Sequence, residues 1–238
     1  VTVGMLVVPL PTFALDILLS LNFAVAAVLI LVSLYVRTAS ALTALPSILL
    51  VSTLYRLSLN VSSTRLILLQ ADAGEVIDAF GDFVVQGNFV VGAVVFLILT
   101  LVQFIVIARG SERVAEVAAR FSLDAMPGRQ MAIDADLRAG AIDLETATAR
   151  RADLHRESSF HGAMDGAMKF VKGDAIAGIV ITVVNIIGGL AIGVGQRGME
   201  VGQAVEVYTL LTIGDGLVTQ IPSLVIASAA GIVVTRVA

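Results

Sequence analysis

The 238-residue chain is 58% hydrophobic and only 14% charged, with a mean hydropathy of +0.97, whereas a soluble domain carries about 25% charged residues. Its formal charge of -4, with acids and bases interleaved, offers no basic footprint for nucleic acid, which is excluded as a partner. Zero Cys and two His remove disulfide, zinc-thiolate, iron–sulfur and histidine-cluster sites, so no cofactor and no metal are expected.

Val1 to Leu10, followed by Pro11, reads as the end of an earlier span, because proline ends or kinks a helix. Both ends of the chain, at Val1 and Ala238, read as cut within longer apolar runs. Ile17 to Val36 is twenty residues without a charge, enough to cross about 30 Å of hydrocarbon. Thr38 to Leu69 is apolar but interrupted by Arg56, Asn60 and Arg65, and is too long for a simple crossing. On one helix the two arginines point to opposite faces, so a break or a bundled interior is expected.

Asp72, Glu75, Asp78 and Asp82 share one arc of a helical wheel, opposite Val76, Ile77, Phe80 and Phe83. That pattern predicts a short interfacial helix, and Asn88 to Ala108 a further span. Between Arg109 and Asp174 lie ten of the fifteen Lys and Arg and eleven of the nineteen Asp and Glu. They predict a small helical unit inserted between spans. Its first helix, Ser111 to Ser122, should stop at the turn signal Met126-Pro127-Gly128. A second should start at the N-cap Asp143 and run toward Phe170.

Ala175 to Gln196 is uncharged and contains Gly189-x-x-x-Gly193, a spacing that lets transmembrane helices approach closely. Val207 to Val234 is apolar except around Gly214-Asp215-Gly216 and Pro222, which predicts two pieces, a re-entrant or interfacial helix and then a span. Basic residues near span ends, Arg37, Arg109, Arg113, Lys169, Lys172 and Arg236, place those ends in the cytoplasm and the acidic stretch outside. The expected fold is an all-α polytopic membrane helix bundle. It divides into N-terminal spans with the acidic helix over 1–108, a cytoplasmic charged subdomain over 109–173 and C-terminal spans over 174–238.

Several motifs are outweighed by their surroundings. Gly193-Val-Gly195-Gln-Arg-Gly198 imitates a dinucleotide fingerprint but follows an apolar run far too long for a strand. Asp134-x-Asp136 with Glu145 imitates a calcium loop, yet Arg138 occupies a ligand position and Ala139 the glycine position. His155 and His161 lie on a charged helix with no marked nucleophile, no Walker sequence is present, and no enzyme is expected. Arg65, Lys169, Asp174 and Asp215 differ, since each interrupts or borders apolar sequence, where an ion costs at least about 2.5 to 3.5 kcal/mol. Asp174 reads either as a helix N-cap beside the anchors Lys169 and Lys172 or as a proton-accepting carboxylate. The residues alone leave both readings open.

Arg120-Phe-x-Leu-Asp124-x-Met-Pro127-Gly128-[Lys/Arg]-Gln130-Met-x-Ile-Asp134 closely resembles the signature of the flagellum, hypersensitive-response and invasion protein export pore family. Further matches are Arg56-Leu-x-Leu-Asn60-Val-x-Ser-x-Arg65, Gly87-Asn88-Phe89, the run from Met164 through Lys169 and Asp174 to Gly178, and Thr212 to Pro222. The resemblance covers the whole chain. It implies the large export-gate subunit of bacterial type III secretion: an inner-membrane homo-oligomeric ring, thought nonameric, that works with other export-apparatus membrane proteins. Such a ring couples proton-motive force to export of unfolded protein substrates. In that family the positions of Arg65, Arg113, Arg120, Asp124, Lys169 and Asp174 are linked to export, with Asp174 favoured as proton site. The family's last two spans and its large C-terminal cytoplasmic domain fall outside this chain. Ala167-Met168-Lys169 leans toward the virulence injectisome branch.

Three functions of different classes follow. The leading one is a proton-coupled export gate, with Asp174, Lys169, Arg65 and Asp215 in the relay. Arg113, Arg120 and Asp124 would then couple the subdomain to a neighbouring copy or to the Lys169–Asp174 mouth. The runner-up is a proton-coupled secondary transporter of a small solute, which puts polar groups at broken helices near the midplane. The third is a passive scaffold.

Overall fold

The computed structural model describes residues 2–36, 42–85 and 87–235, so Arg37 and Arg236, two of the residues used for orientation, lie outside the described residues. The described residues form helices α1 (Thr2–Val7), α2 (Thr12–Tyr35), α3 (Leu45–Gln70), α4 (Glu75–Val85), α5 (Phe89–Leu101), a π segment (Val102–Ala108), α6 (Arg109–Arg138), α7 (Leu144–Gly195) and α8 (Val201–Thr235). Among those residues no strand occurs. Among the described residues four rods are long and apolar enough to cross a membrane: α2, the unbroken run from α5 through α6, α7 and α8. α3, of 26 residues, lies along α7 with its polar residues turned inward. Leu21, Val28, Leu31, Leu97, Val180 and Ile187 are exposed and form an outward apolar surface suited to lipid. The protein is an all-α polytopic membrane protein.

Two predicted breaks are absent, and so is the helix start at Asp174 that the sequence left open. α6 passes through Met126-Pro127-Gly128 without stopping. Pro127 removes one N–H and crowds one carbonyl, while the outer half of α6 is stapled to α7 by Arg129–Glu157 at 3.0 Å, Arg151–Asp134 at 2.5 Å and Arg150–Asp136 at 3.4 Å. The turn comes instead at Gly140, whose φ of +71° suits glycine, and Asp143 then caps α7 by accepting from Thr146 N at 2.8 Å, as its sequence predicts. α7 runs through Asp174 as one helix of 52 residues, so Asp174 is not an N-cap. α8 likewise passes through Gly214-Asp215-Gly216 and Pro222 unbroken. Its glycines are contact points: a Cβ on Gly214 would lie 2.1 Å from the Ile77 carbonyl of α4, and one on Gly216 2.4 Å from the Phe96 ring of α5.

Other expectations hold. α3 has a bundled interior rather than a break. Gly189 and Gly193 do admit a close neighbour, since a Cβ on either would meet the Tyr208 ring of α8 at 2.3 or 2.7 Å. His155 is exposed, but His161 is half-buried against Phe160, and burial pulls its pKa down.

Buried apolar residues collect in two main clusters. One lies on the hairpin side, where Phe160, Met164, Met168 and Val171 of α7 meet Ile226, Ala230 and Val233 of α8. The other lies on the far side, where Leu15, Leu19, Leu59, Ile67 and Ile77 surround Tyr208 and Leu211. A layer of buried polar residues separates them.

On the far side Asp16 of α2 caps α4, its carboxylate accepting from Glu75 N at 3.2 Å and Val76 N at 3.1 Å. The Asp78 carboxyl on α4 is pushed above the usual carboxylate range, first by burial and then by Asp72, Asp82 and Asp16. A raised folded-state pKa means that the folded chain holds the proton more tightly, so stability is greatest in acid and is lost as pH rises through the raised value. Asp78→Asn should therefore raise the thermal midpoint in detergent at neutral pH, by an amount of the order of the ~0.5 kcal/mol usual for surface changes. The gain should vanish near pH 4, below which both forms are neutral at this position. Equal midpoints for the two proteins at neutral pH would contradict the raised pKa of this carboxyl.

Candidate functional site

Ser52, Arg56, Asn60 and Ser63 of α3 recur at steps of three or four, which puts them on one face of the helix, and all four are buried. Arg56 Nε donates to Asp174 Oδ2 at 2.7 Å, and Nη2 lies 2.6 Å from the same oxygen. The two side chains are 1% and 4% exposed, so the pair is withdrawn from solvent and lipid alike. Arg56 Nη1 and Asp174 Oδ1 are buried and find no further partner among the described residues. Both side chains line a cavity with about 20 Å³ of room for water centres, space for about one molecule. Asn60, Thr100, Gln103, Thr219, Gln220 and Ser223 supply its polar wall. Gln220 donates to the Thr100 hydroxyl at 2.9 Å, and Gln103 comes from the π segment, a wider turn often found at functional positions.

Asp215 occupies a second polar pocket. Asn185 Nδ2 approaches its Oδ2 at 3.4 Å, and the Ser63 hydroxyl is its other polar neighbour. Asp215 Oδ1, Asn185 Oδ1 and Asn60 Oδ1 are buried without a partner among the described residues. Asp174 to Gly195 rises about 31 Å at 1.5 Å per residue, the thickness of the hydrocarbon layer. Asn185 and Asp215 therefore lie about 16 Å inward from Asp174, near mid-depth. Asn60, Thr219 and Ser223 fall between the two carboxylates, making a polar column through the bundle.

The other sequence candidates lie elsewhere. Lys169 is exposed and pairs with Asp165 at 2.8 Å, which holds its ammonium above the usual range, and no bond joins it to Asp174. Arg65 donates to the carbonyls of Val7 at 3.0 Å and Leu6 at 3.2 Å, tying α3 to α1. Lys172 bonds Glu112 at 2.8 Å and ties the hairpin base. Arg113 pairs with Glu116 at 2.8 Å, while Arg120 and Asp124 are 4.0 Å apart and largely exposed. Arg113, Arg120 and Asp124 themselves make no ion pair with Lys169, Lys172 or Asp174 among the described residues, and the ion pair between α6 and this mouth runs through Glu112 to Lys172. Arg56 is the partner that charge counting missed. The repeat of buried polar residues at 52, 56, 60 and 63 was the available signal.

The FHIPEP family matches residues 2–238. The chain belongs to the FHIPEP family. It is 58% identical over 99% of its length to Low calcium response locus protein D of Yersinia pestis. It is 60% identical to Hypersensitivity response secretion protein HrcV of Ralstonia nicotianae and 56% identical to Invasion protein InvA of Salmonella typhimurium, again over 99% of its length. The matched regions are 33%, 34% and 34% of those proteins, so this chain spans about a third of its curated FHIPEP relatives. No solved structure matches it.

In this FHIPEP chain the Arg56–Asp174 contact makes a direct prediction. Arg56→Met strands a buried carboxylate and should cost about 3–5 kcal/mol, whereas Arg56→Met with Asp174→Leu should recover most of that loss. Unfolding in detergent measures both, and a single-variant cost below about 1 kcal/mol, the range of exposed pairs, would contradict the desolvated geometry.

Proposed function

We propose that this chain is the membrane part of the export gate of a bacterial type III secretion system. It sits in the inner membrane as a nonameric ring beside other export-apparatus membrane proteins and couples proton-motive force to export of unfolded protein substrates. The acidic α4 end faces outward and the α6–α7 hairpin faces the cytoplasm, following the basic residues Arg109, Arg113, Lys169 and Lys172. Family membership and the names of the secretion and invasion relatives support the assignment. The observation that carries the mechanism is the buried Arg56–Asp174 pair at the root of the hairpin, beside a polar cavity.

A proton reaching Asp174 cancels the charge that holds Arg56. The guanidinium is then a buried cation without a counterion, and it turns toward the cavity groups or water. Because α7 is one helix from Leu144 through Asp174 to Gly195, a displacement at the pair is carried into the hairpin. A proton crossing 100 mV delivers about 2.3 kcal/mol, comparable with the difference between a paired and an unpaired buried ion. Asp215, deeper in the column, hands protons to Asp174. A small-solute transporter fits poorly, since the cavity has room for about one water and α8 is unbroken. Arg113, Arg120 and Asp124, on the same side of α6 as the exposed Val114, Val117 and Phe121, meet a neighbouring copy in the ring.

Asp174→Asn keeps the shape and removes the titratable group, so secretion by cells carrying it should be lost, with Asp174→Glu partly active. Wild-type export from the Asn variant would sink the relay. Arg120→Glu should abolish export while membrane abundance stays near normal, and a reversal on the acidic partner of the adjacent copy should restore part of it. Normal secretion by Arg120→Glu would remove this face from the mechanism.

A further inference from the structure

The polar column ends abruptly on the far side. Asn185, Gly189 and Gly193 follow one another at four-residue steps along α7, so they share a face. Asp215 and Tyr208 are seven apart on α8, also on a common face. The Tyr208 ring therefore lies directly beyond the Asn185–Asp215 contact. A Cβ on Gly189 would meet its Cγ at 2.5 Å and Cδ1 at 2.3 Å, and a Cβ on Gly193 would meet its Cε2 at 2.7 Å. The ring thus extends from Gly189 toward Gly193, with its hydroxyl end turned to the far side. Tyr208 is 0% exposed, and its hydroxyl has no hydrogen-bond partner among the described residues. An unmet buried hydroxyl is costly, and a purely structural filler at this place would be satisfied by phenylalanine. From the other side α4 clamps the same stretch of α8, with Gly81 against the Leu210 carbonyl and Gly214 against the Ile77 carbonyl.

We propose that Tyr208 is the far-side seal of the polar column: its ring, seated across Gly189 and Gly193, keeps water and protons from Asp215 until α8 moves relative to α7. The hydroxyl at the tip meets the first water that enters, so the seal turns into a wetted path once the ring lifts. This inference rests on the proton-coupling reading for the role of Asp215, and on geometry alone for the closure.

The absence of cysteine from this chain makes the seal testable in the full-length protein with any cysteines elsewhere replaced. Ser63→Cys places a thiol beside Asp215, and a membrane-impermeant methanethiosulfonate is applied to the far side, with Glu200→Cys, exposed in the far-side turn between α7 and α8, as the surface control. Ser63→Cys should resist labelling. Adding Tyr208→Ala should raise the labelling rate by about tenfold or more, the ratio that ~1.4 kcal/mol of lost closure opens. Adding Tyr208→Phe should leave the thiol protected. If Tyr208→Ala fails to accumulate, Gly189→Ala, whose methyl displaces the ring, serves in its place. Proton uptake into vesicles carrying the protein should rise with Tyr208→Ala and return to baseline when Asp215→Asn is added. Protection of Ser63→Cys in the Tyr208→Ala background, or equal labelling with Phe and Ala, overturns the seal. Faster labelling without faster proton uptake leaves the seal standing and overturns the role of Asp215 as a proton carrier.

Discussion

A buried arginine and a buried aspartate, 118 residues apart in sequence, can remain in a membrane only by meeting. That requirement fixes the place of α3. It must lie in the interior against α7 and α8 with Arg56 inward, while the more apolar α2 and α5 take the lipid. It also fixes the relative depth of α3 and α7, since Asp174 must stand level with Arg56. The rest of the polar column follows, because Asn60 and Ser63 are the next residues on the Arg56 face.

Two apolar clusters bracket this column and keep it narrow. On the far side the closure is made by helices drawn together at glycines, where Gly81, Gly189, Gly193 and Gly214 receive a carbonyl or a ring in place of a side chain. Without a hydrophobic drive between helices inside lipid, such close approach and its dispersion contacts hold the bundle. On the hairpin side Met164, Met168 and Phe160 of α7 meet α8, and methionine tolerates small shifts in packing. The bundle is therefore held by close glycine contacts on the far side and by buried methionine and phenylalanine side chains where the hairpin begins.

Continuity of the long helices joins these regions. α7 carries the hairpin staples, the Lys172–Glu112 tie, Asp174, Asn185 and the glycines that seat Tyr208 on a single rod. α5 and α6 form a second rod, antiparallel to α7, through the π segment, which places Gln103 in the cavity wall between lipid-facing and hairpin sections. These features therefore share one continuous rod, with no break in α7 between Leu144 and Gly195.

The residues alone determined the all-α membrane class, the spans of α2 and α5, the amphipathic α4, the Asp143 cap and the tight contact at Gly189 and Gly193. Each of these follows from local periodicity, capping or small-residue spacing. They also marked Asp174 and Asp215 as ions in apolar surroundings, and they put Arg56 and Arg65 on opposite faces. Local signals misled at Pro127 and Gly214, where breaker residues sit inside continuous helices because salt bridges or interhelix contacts outweigh the local cost, and at Asp174 they left open a helix cap that the continuous α7 removes. Tertiary structure alone decided the partners: Arg56 rather than Lys169 for Asp174, Asn185 and Ser63 for Asp215, backbone carbonyls for Arg65. Those choices depend on how deep each helix sits and which way it is turned, and both are set by packing between segments far apart in the chain.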